Sequence, residues 1–168
     1  MKNILALLSG GDLRSIGESE SLMQMIKSQE DFDELFDYLF YKDRLVVMRA
    51  ADVIEKITVK DRRYLLKHSR EIIQLAKKEN EKELKWHLAL LIPRLELTKN
   101  ELLEAWEILS SWVCNKEESR IVRVNALQGL HDLCKKNIQL QRSFQFLVTQ
   151  VEKENIPSIN ARIKKLIK

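Results

Sequence analysis

Glycine and proline are scarce in this chain, 4 and 2 residues among 168. An all-β fold needs turn signals about every 8–12 residues, which so few turn formers cannot supply. Helices must therefore carry the structure. Cysteine is rarer still for a secreted fold. Two residues, Cys114 and Cys134, give no disulfide framework, and a chain of this length does not need one. No run approaches the roughly 18 apolar residues of a membrane span. The apolar stretch Ile4-Leu5-Ala6-Leu7-Leu8 is shorter than the ~7–15 residue core of a secretory signal, and no Ala-x-Ala site follows it. These absences lead to the expectation of a soluble, cytoplasmic protein in a reducing compartment with no membrane partner.

What is present is apolar material and charge. Hydrophobic residues make up 45% of the chain, enough for a sizeable core, and charged residues 32%. The charge is unevenly spread. Residues 1–42 hold 4 Lys/Arg against 8 Asp/Glu, and residues 43–168 hold 25 against 17. The final segment carries Arg162, Lys164, Lys165 and Lys168 without an acid. Such a dipole would draw an acidic partner or nucleic acid to the C-terminal half. It also fits solubility and cations placed at helix C-termini.

The apolar residues repeat. Val46, Ala50, Val53, Ile54 and Ile57 fall at offsets 0, 4, 7, 8 and 11, one stripe of a 3.6-residue helix. Shifted by 38, the same offsets read Leu84, Leu88, Leu91, Ile92 and Leu95, and again Val122, Ala126, Gly129, Leu130 and Leu133. A fourth copy, one residue early, reads Ile159, Ile163, Leu166 and Ile167. All fifteen positions of the three full copies are apolar or Gly.

Further helices lie between these. The spacing predicts one over 31–40 capped by Asp31 with Glu34, and one over 69–79 capped by Ser69. A third, over 99–113, opens on Thr98 and Glu101, and a fourth spans 139–154. An N-terminal helix near 20–28 turns Leu22, Met25 and Ile26 inward, after a loop at 9–18 set by Gly10, Gly11 and Gly17. Pro157 opens the last helix, and Pro93 ends the second repeat helix after Ile92.

Helices alternating at a near-constant period describe stacked helix pairs. Here the chain resembles the HEAT-repeat (armadillo-like) family. The resemblance is carried by Val46-Val47-Met48-Arg49-Ala50-Ala51-Asp52 and Ile121-Val122-Arg123-Val124-Asn125-Ala126-Leu127. The stretches Lys85-Trp86-His87-Leu88-Ala89 and Ile92-Pro93-Arg94-Leu95 are similar to small bacterial HEAT-like proteins that have no assigned biochemical role. The implied fold is all-α, a right-handed α-α superhelix of about four antiparallel helix pairs with an N-terminal helical cap. It is expected as one domain over 1–168, with the cap at 1–30 and repeats near 31–58, 67–95, 98–136 and 139–168. The family's Val-Arg pair stands at Val122-Arg123 but reads Val46-Val47 in the first copy, which argues against an unbroken Asp–Arg ladder between repeats.

Catalytic constellations are missing: there is no P-loop, no His-Glu-x-x-His and no Gly-x-Ser-x-Gly. Of His68, His87 and His131, only His131 has a co-ligand at helical spacing, Cys134, short of the four a closed zinc site needs. The acids Asp31, Asp33, Glu34 and Asp37 crowd the start of one helix, where they favour the macrodipole. No catalytic residue, cofactor or metal is expected.

The remaining candidates lie off the stripe of the second helices, which line the concave side of a solenoid. They are Met48, Arg49, Trp86, His87, Leu90, Arg123, Gln128, His131, Arg162 and Lys165. Trp and Arg are frequent binding anchors. Two readings stay open for them. The large side chains either meet a partner or pack between repeats, and the arginines either bind or hydrogen-bond nearby loop carbonyls. The leading expectation is a non-catalytic module binding another protein or peptide on this face. The alternative is a nucleic-acid binder related to the DNA-alkylation-repair repeats, although no acid-plus-aromatic pocket matches theirs.

Overall fold

All fifteen stripe positions are buried in the computed structural model, which describes residues 4–9 and 17–167. Among these residues there are ten α-helices, four short 3-10 turns and no strand. Two compact units form, Met1–Lys67 and His68–Lys168.

The first unit contains α1 (Ile4–Leu8), α2 (Gly17–Met25), α3 (Gln29–Asp37) and α4 (Arg44–Lys60). Its α4 carries the first stripe and packs on the other three helices. The cap of α3 corrects the expectation of Asp31. Ser28 is the N-cap, and Asp31, at the third helical position, returns its carboxylate to the Ser28 N–H. Both readings fit a capping box; the helix begins earlier because Phe32, Leu35 and Phe36 all need to face inward. Phe32 stacks on Tyr64 with centroids 4.9 Å apart, which fastens the turn after α4 onto α3. Leu22 and Ile26 are buried as expected, with Met25 partly exposed. Gly17 opens α2 instead of belonging to a loop, and residues 10–16 of that expected loop lie outside the described residues. The short α1, with Ile4 and Leu8 buried, had no counterpart in the sequence reading.

The second unit comprises α5 (Ser69–Lys78), α6 (Lys82–Leu91), α7 (Lys99–Cys114), α8 (Arg120–Lys136), α9 (Gln141–Glu152) and α10 (Pro157–Leu166). The first helices of each pair, α5, α7 and α9, contact in sequence, and so do the second helices α6, α8 and α10. The capping box at Thr98 and Glu101 forms as expected. Ser69 does not cap α5: His68 holds that position, and the Ser69 hydroxyl donates to the Glu96 carbonyl. Pro93 converts the end of α6 into a 3-10 turn at Ile92–Arg94, since its ring excludes another α turn. On the outer layer, Glu104 of α7 accepts from Arg70 at 3.0 Å and Lys77 at 2.6 Å, both on α5, and these bonds hold its carboxyl below the usual range.

A ladder does exist in this unit, in altered form. Lys85 of α6 and Arg123 of α8 occupy the same register position, 38 residues apart. Lys85 reaches Glu118, before α8, at 2.6 Å, and Arg123 reaches Glu154, before α10, at 2.8 Å. Each cation thus ties the first turn of one second helix to the loop of the following pair. Val47, at this position in the first copy, has no charge to contribute.

Candidate functional site

The first turn of α8 explains why Arg123 is buried at 1% exposure. Its Nε donates to the Val113 carbonyl at 2.8 Å, one of the carbonyls that the end of α7 leaves without an intrahelical partner. Its Nη2 holds Glu154. The adjoining Asn155 has a φ of 53°, the left-handed region that Asn tolerates, and it turns the chain out of α9 directly after Glu154. Arg123 is therefore a strut between α7, α8 and the α9–α10 loop: of its two expected roles the structure shows the carbonyl hydrogen bond, and its burial corrects its place among the partner-binding candidates. His87 is corrected likewise. It is 5% exposed, with its ring 5.3 Å from that of Trp86. Arg123 and His87 both lie beside the stripe and are buried with it.

The other candidates of the second unit keep some exposure. Trp86 and Leu90 are partly exposed, one turn apart on α6. Arg162 of α10 donates to the side-chain Oε1 of Gln128 on α8 at 2.7 Å, and the Gln128 Nε2 donates to Asp132 at 3.1 Å. His131 lies 3.3 Å from Asp132 with its ring 5.8 Å from Phe144, and Lys165 is exposed near the end of α10. Gln128, His131, Asp132 and Arg162 thus form one polar chain across two second helices. In the first unit, Met48 is partly exposed on α4, and Arg49 donates to the Leu8 carbonyl at 3.0 Å. That bond caps α1 much as Arg123 caps α7.

Repeating helix pairs, a stripe buried throughout its three full copies and a cation ladder at the same period all point one way. The chain matches the HEAT repeat domain family over residues 12–168. It belongs to the HEAT-repeat family. Neither the curated proteins nor the solved structures return a match. The architecture is accordingly an all-α HEAT-like solenoid. HEAT repeats generally mediate protein–protein contacts and scaffolding, and the family is typically non-catalytic. Among the described residues, no three His, Cys, Asp or Glu side chains are grouped to hold a metal ion, and no helix is long and apolar enough to cross a membrane.

The cysteines differ sharply in environment. Cys114 ends α7 exposed, with its thiol pushed up by partial burial against the opposing pull of Arg123. Cys134 is buried on α8, and desolvation pushes its thiol to about 11. The thiolate is the nucleophile, so at pH 8 Cys134 stays almost entirely in the unreactive thiol form. Iodoacetamide at that pH should modify Cys114 first in the folded HEAT protein, with Cys134 following only in denaturant. Peptide mass spectrometry reads the result, and equal rates in buffer would show that the end of the solenoid opens.

Proposed function

We propose that this HEAT-repeat protein is a non-catalytic interaction module that binds a protein or peptide on the second-helix face. Trp86 and Leu90 supply the apolar contact, while Gln128, His131, Arg162 and Lys165 supply polar ones. Met48 and Arg49 occupy the corresponding positions in the first copy. The observation carrying the reading is Trp86, a residue type favoured at binding hot spots, left partly exposed on α6 with Leu90 one turn away. The Arg162–Gln128–Asp132 chain supports it, because it holds a guanidinium in a fixed direction at little further entropic cost.

The test is affinity capture with the tagged chain and with Trp86→Ala. A bound protein should be lost with the variant, by about 2 kcal/mol or roughly 30-fold in Kd, with weak salt dependence. Trp86→Leu should restore part of the binding and controls for packing. Phosphate-dominated nucleic-acid binding would instead weaken with salt at a slope near −0.9 per phosphate neutralised. The expected outcome is no measurable DNA or RNA binding at about 150 mM salt, the physiological range. Such binding, abolished by replacing Arg162, Lys164 and Lys165 with Ala, would overturn the proposal.

A further inference from the structure

The fourth copy of the stripe breaks the pattern of the others. Its first two positions, Ile159 and Ile163, are buried, but Leu166 is partly exposed and Ile167 is 63% exposed. The residues at the same register positions in the second and third copies, Leu91 with Ile92 and Gly129 with Leu130, are buried. Beside Leu166 and Ile167 runs a groove of about 620 Å³ between α8, α9 and α10. Phe144 and Val148 form part of its floor, and Ile138 stands 75% exposed at its edge. Elsewhere in this unit such stripes are covered by helices: α8 is flanked by α6, α7 and α10.

The surroundings of the groove are basic. Residues 131–168 contain eight Lys/Arg against Asp132, Glu152 and Glu154, and Arg123 already neutralises Glu154. Lys135 lines the groove, 3.7 Å from Asp132, and Lys164 and Lys165 are exposed on α10 just before the lining residues Leu166 and Ile167. A second copy of the chain docked tail to tail, this surface against itself, would set like charges together. The chain's own acidic amphipathic helix, α3, has Phe32, Leu35 and Phe36 buried within the first unit. Both are poor occupants. An apolar stripe fits the groove floor, and acids on the opposite flanks fit its rim.

We infer that the groove between α8, α9 and α10 docks an acidic amphipathic helix of a partner protein. The inference rests on the chain being a protein-binding module, and it places a second contact away from Trp86. The occupant sets Leu- or Phe-type side chains at i, i+3 or i+4, and i+7 against Phe144, Val148, Leu166 and Ile167. Its Asp and Glu face Lys135, Lys164 and Lys165. Glu152, at the rim, disfavours a peptide whose acids are not placed clear of it.

The probe is a fluorescent, end-capped peptide of about 18 residues, long enough to form a helix, with Leu at helical spacing and Glu elsewhere. Anisotropy should show saturable binding to the full chain. The double variant Ile138→Asp with Ile167→Asp should weaken it at least about tenfold. Both residues are largely exposed, so these changes leave the core intact. Leu103→Asp, at an exposed position on α7, should leave peptide affinity unchanged. A peptide of the same composition in scrambled order, or with Lys for Glu, should not bind. The inference falls if the designed peptide does not bind, if the scrambled one binds equally, or if the double variant has no effect. It also falls if a single-stranded oligonucleotide or an anionic lipid vesicle binds the chain and is released by that double variant. Sensitivity of a captured protein to Trp86→Ala alone, with no peptide binding, would remove the end groove and leave the second-helix face standing.

Discussion

Replacing Arg123 with Ala should destabilise the protein by about 3–5 kcal/mol, the cost of breaking a buried ion pair from one side. The loss has two parts. The Val113 carbonyl, which accepts from Nε at 2.8 Å, would be left at the end of α7 without its partner. Glu154, whose side chain is only 17% exposed, would keep its charge without a counterion. Arg123→Lys should fall between the two, because one ammonium group cannot match the fork that serves both acceptors. Glu154→Gln should cost less than Arg123→Ala, since the α7 cap survives and an amide oxygen still accepts. Urea unfolding at neutral pH measures all three. At roughly 2–4 °C per kcal/mol for a chain of this size, the Ala variant should lower Tm by at least about 6 °C. A change below about 1 kcal/mol for Arg123→Ala would show that water replaces the guanidinium at both acceptors.

The second large effect concerns Gly129. A Cβ at this position would lie 2.5 Å from the backbone oxygen of Ala89 on α6 and 3.2 Å from Cδ1 of Leu109 on α7. The nearer obstacle is main chain, so it yields only if two helices move apart. Gly129→Ala gains about 1 kcal/mol of helix propensity but meets an overpacking cost of about 1–3 kcal/mol. A net loss of up to roughly 2 kcal/mol is expected from these two. Gly129→Leu, which restores the residue type of Leu91 in the preceding copy, should lose about 3 kcal/mol or more. Thermal unfolding decides the matter; a stabilised Gly129→Ala would mean that α6 and α8 approach less closely than described.

Much of the fold was legible because a helical stripe is a local signal. Burial of Val46, Leu84 and Val122 follows from spacing alone, and the helix ends at Thr98, Pro93 and Pro157 are set by capping and by proline geometry. The candidate site was less legible. Arg123 and His87 sit on the stripe's flank, and whether a flank is wet depends on how closely the next repeat approaches. The glycine at 129 controls that approach on α8 without leaving any charge or polarity to read. Cap positions shifted by a turn for a similar reason: Ser28-x-x-Asp31 and Asp31-x-x-Glu34 are both valid starts, and Phe32 decides between them by being buried. The Lys85 and Arg123 rungs did leave a signal, their common register, but their carboxylate partners lie in loops without a fixed period.

Those rungs bear on how the protein comes apart. In a linear array of repeats, unfolding is expected to start at an end and advance pair by pair, each step weighted by one interface. If α9 and α10 frayed together, Glu154 would depart and Arg123 would lose its carboxylate partner. The last pair is thereby coupled to the one before it by more than apolar area. Backbone amides of α10 around Ile163 should therefore exchange with solvent at rates closer to those of α8 than a terminal helix would show. In the Glu154→Gln protein that difference between end and interior should widen, with the α10 amides released before the α8 amides.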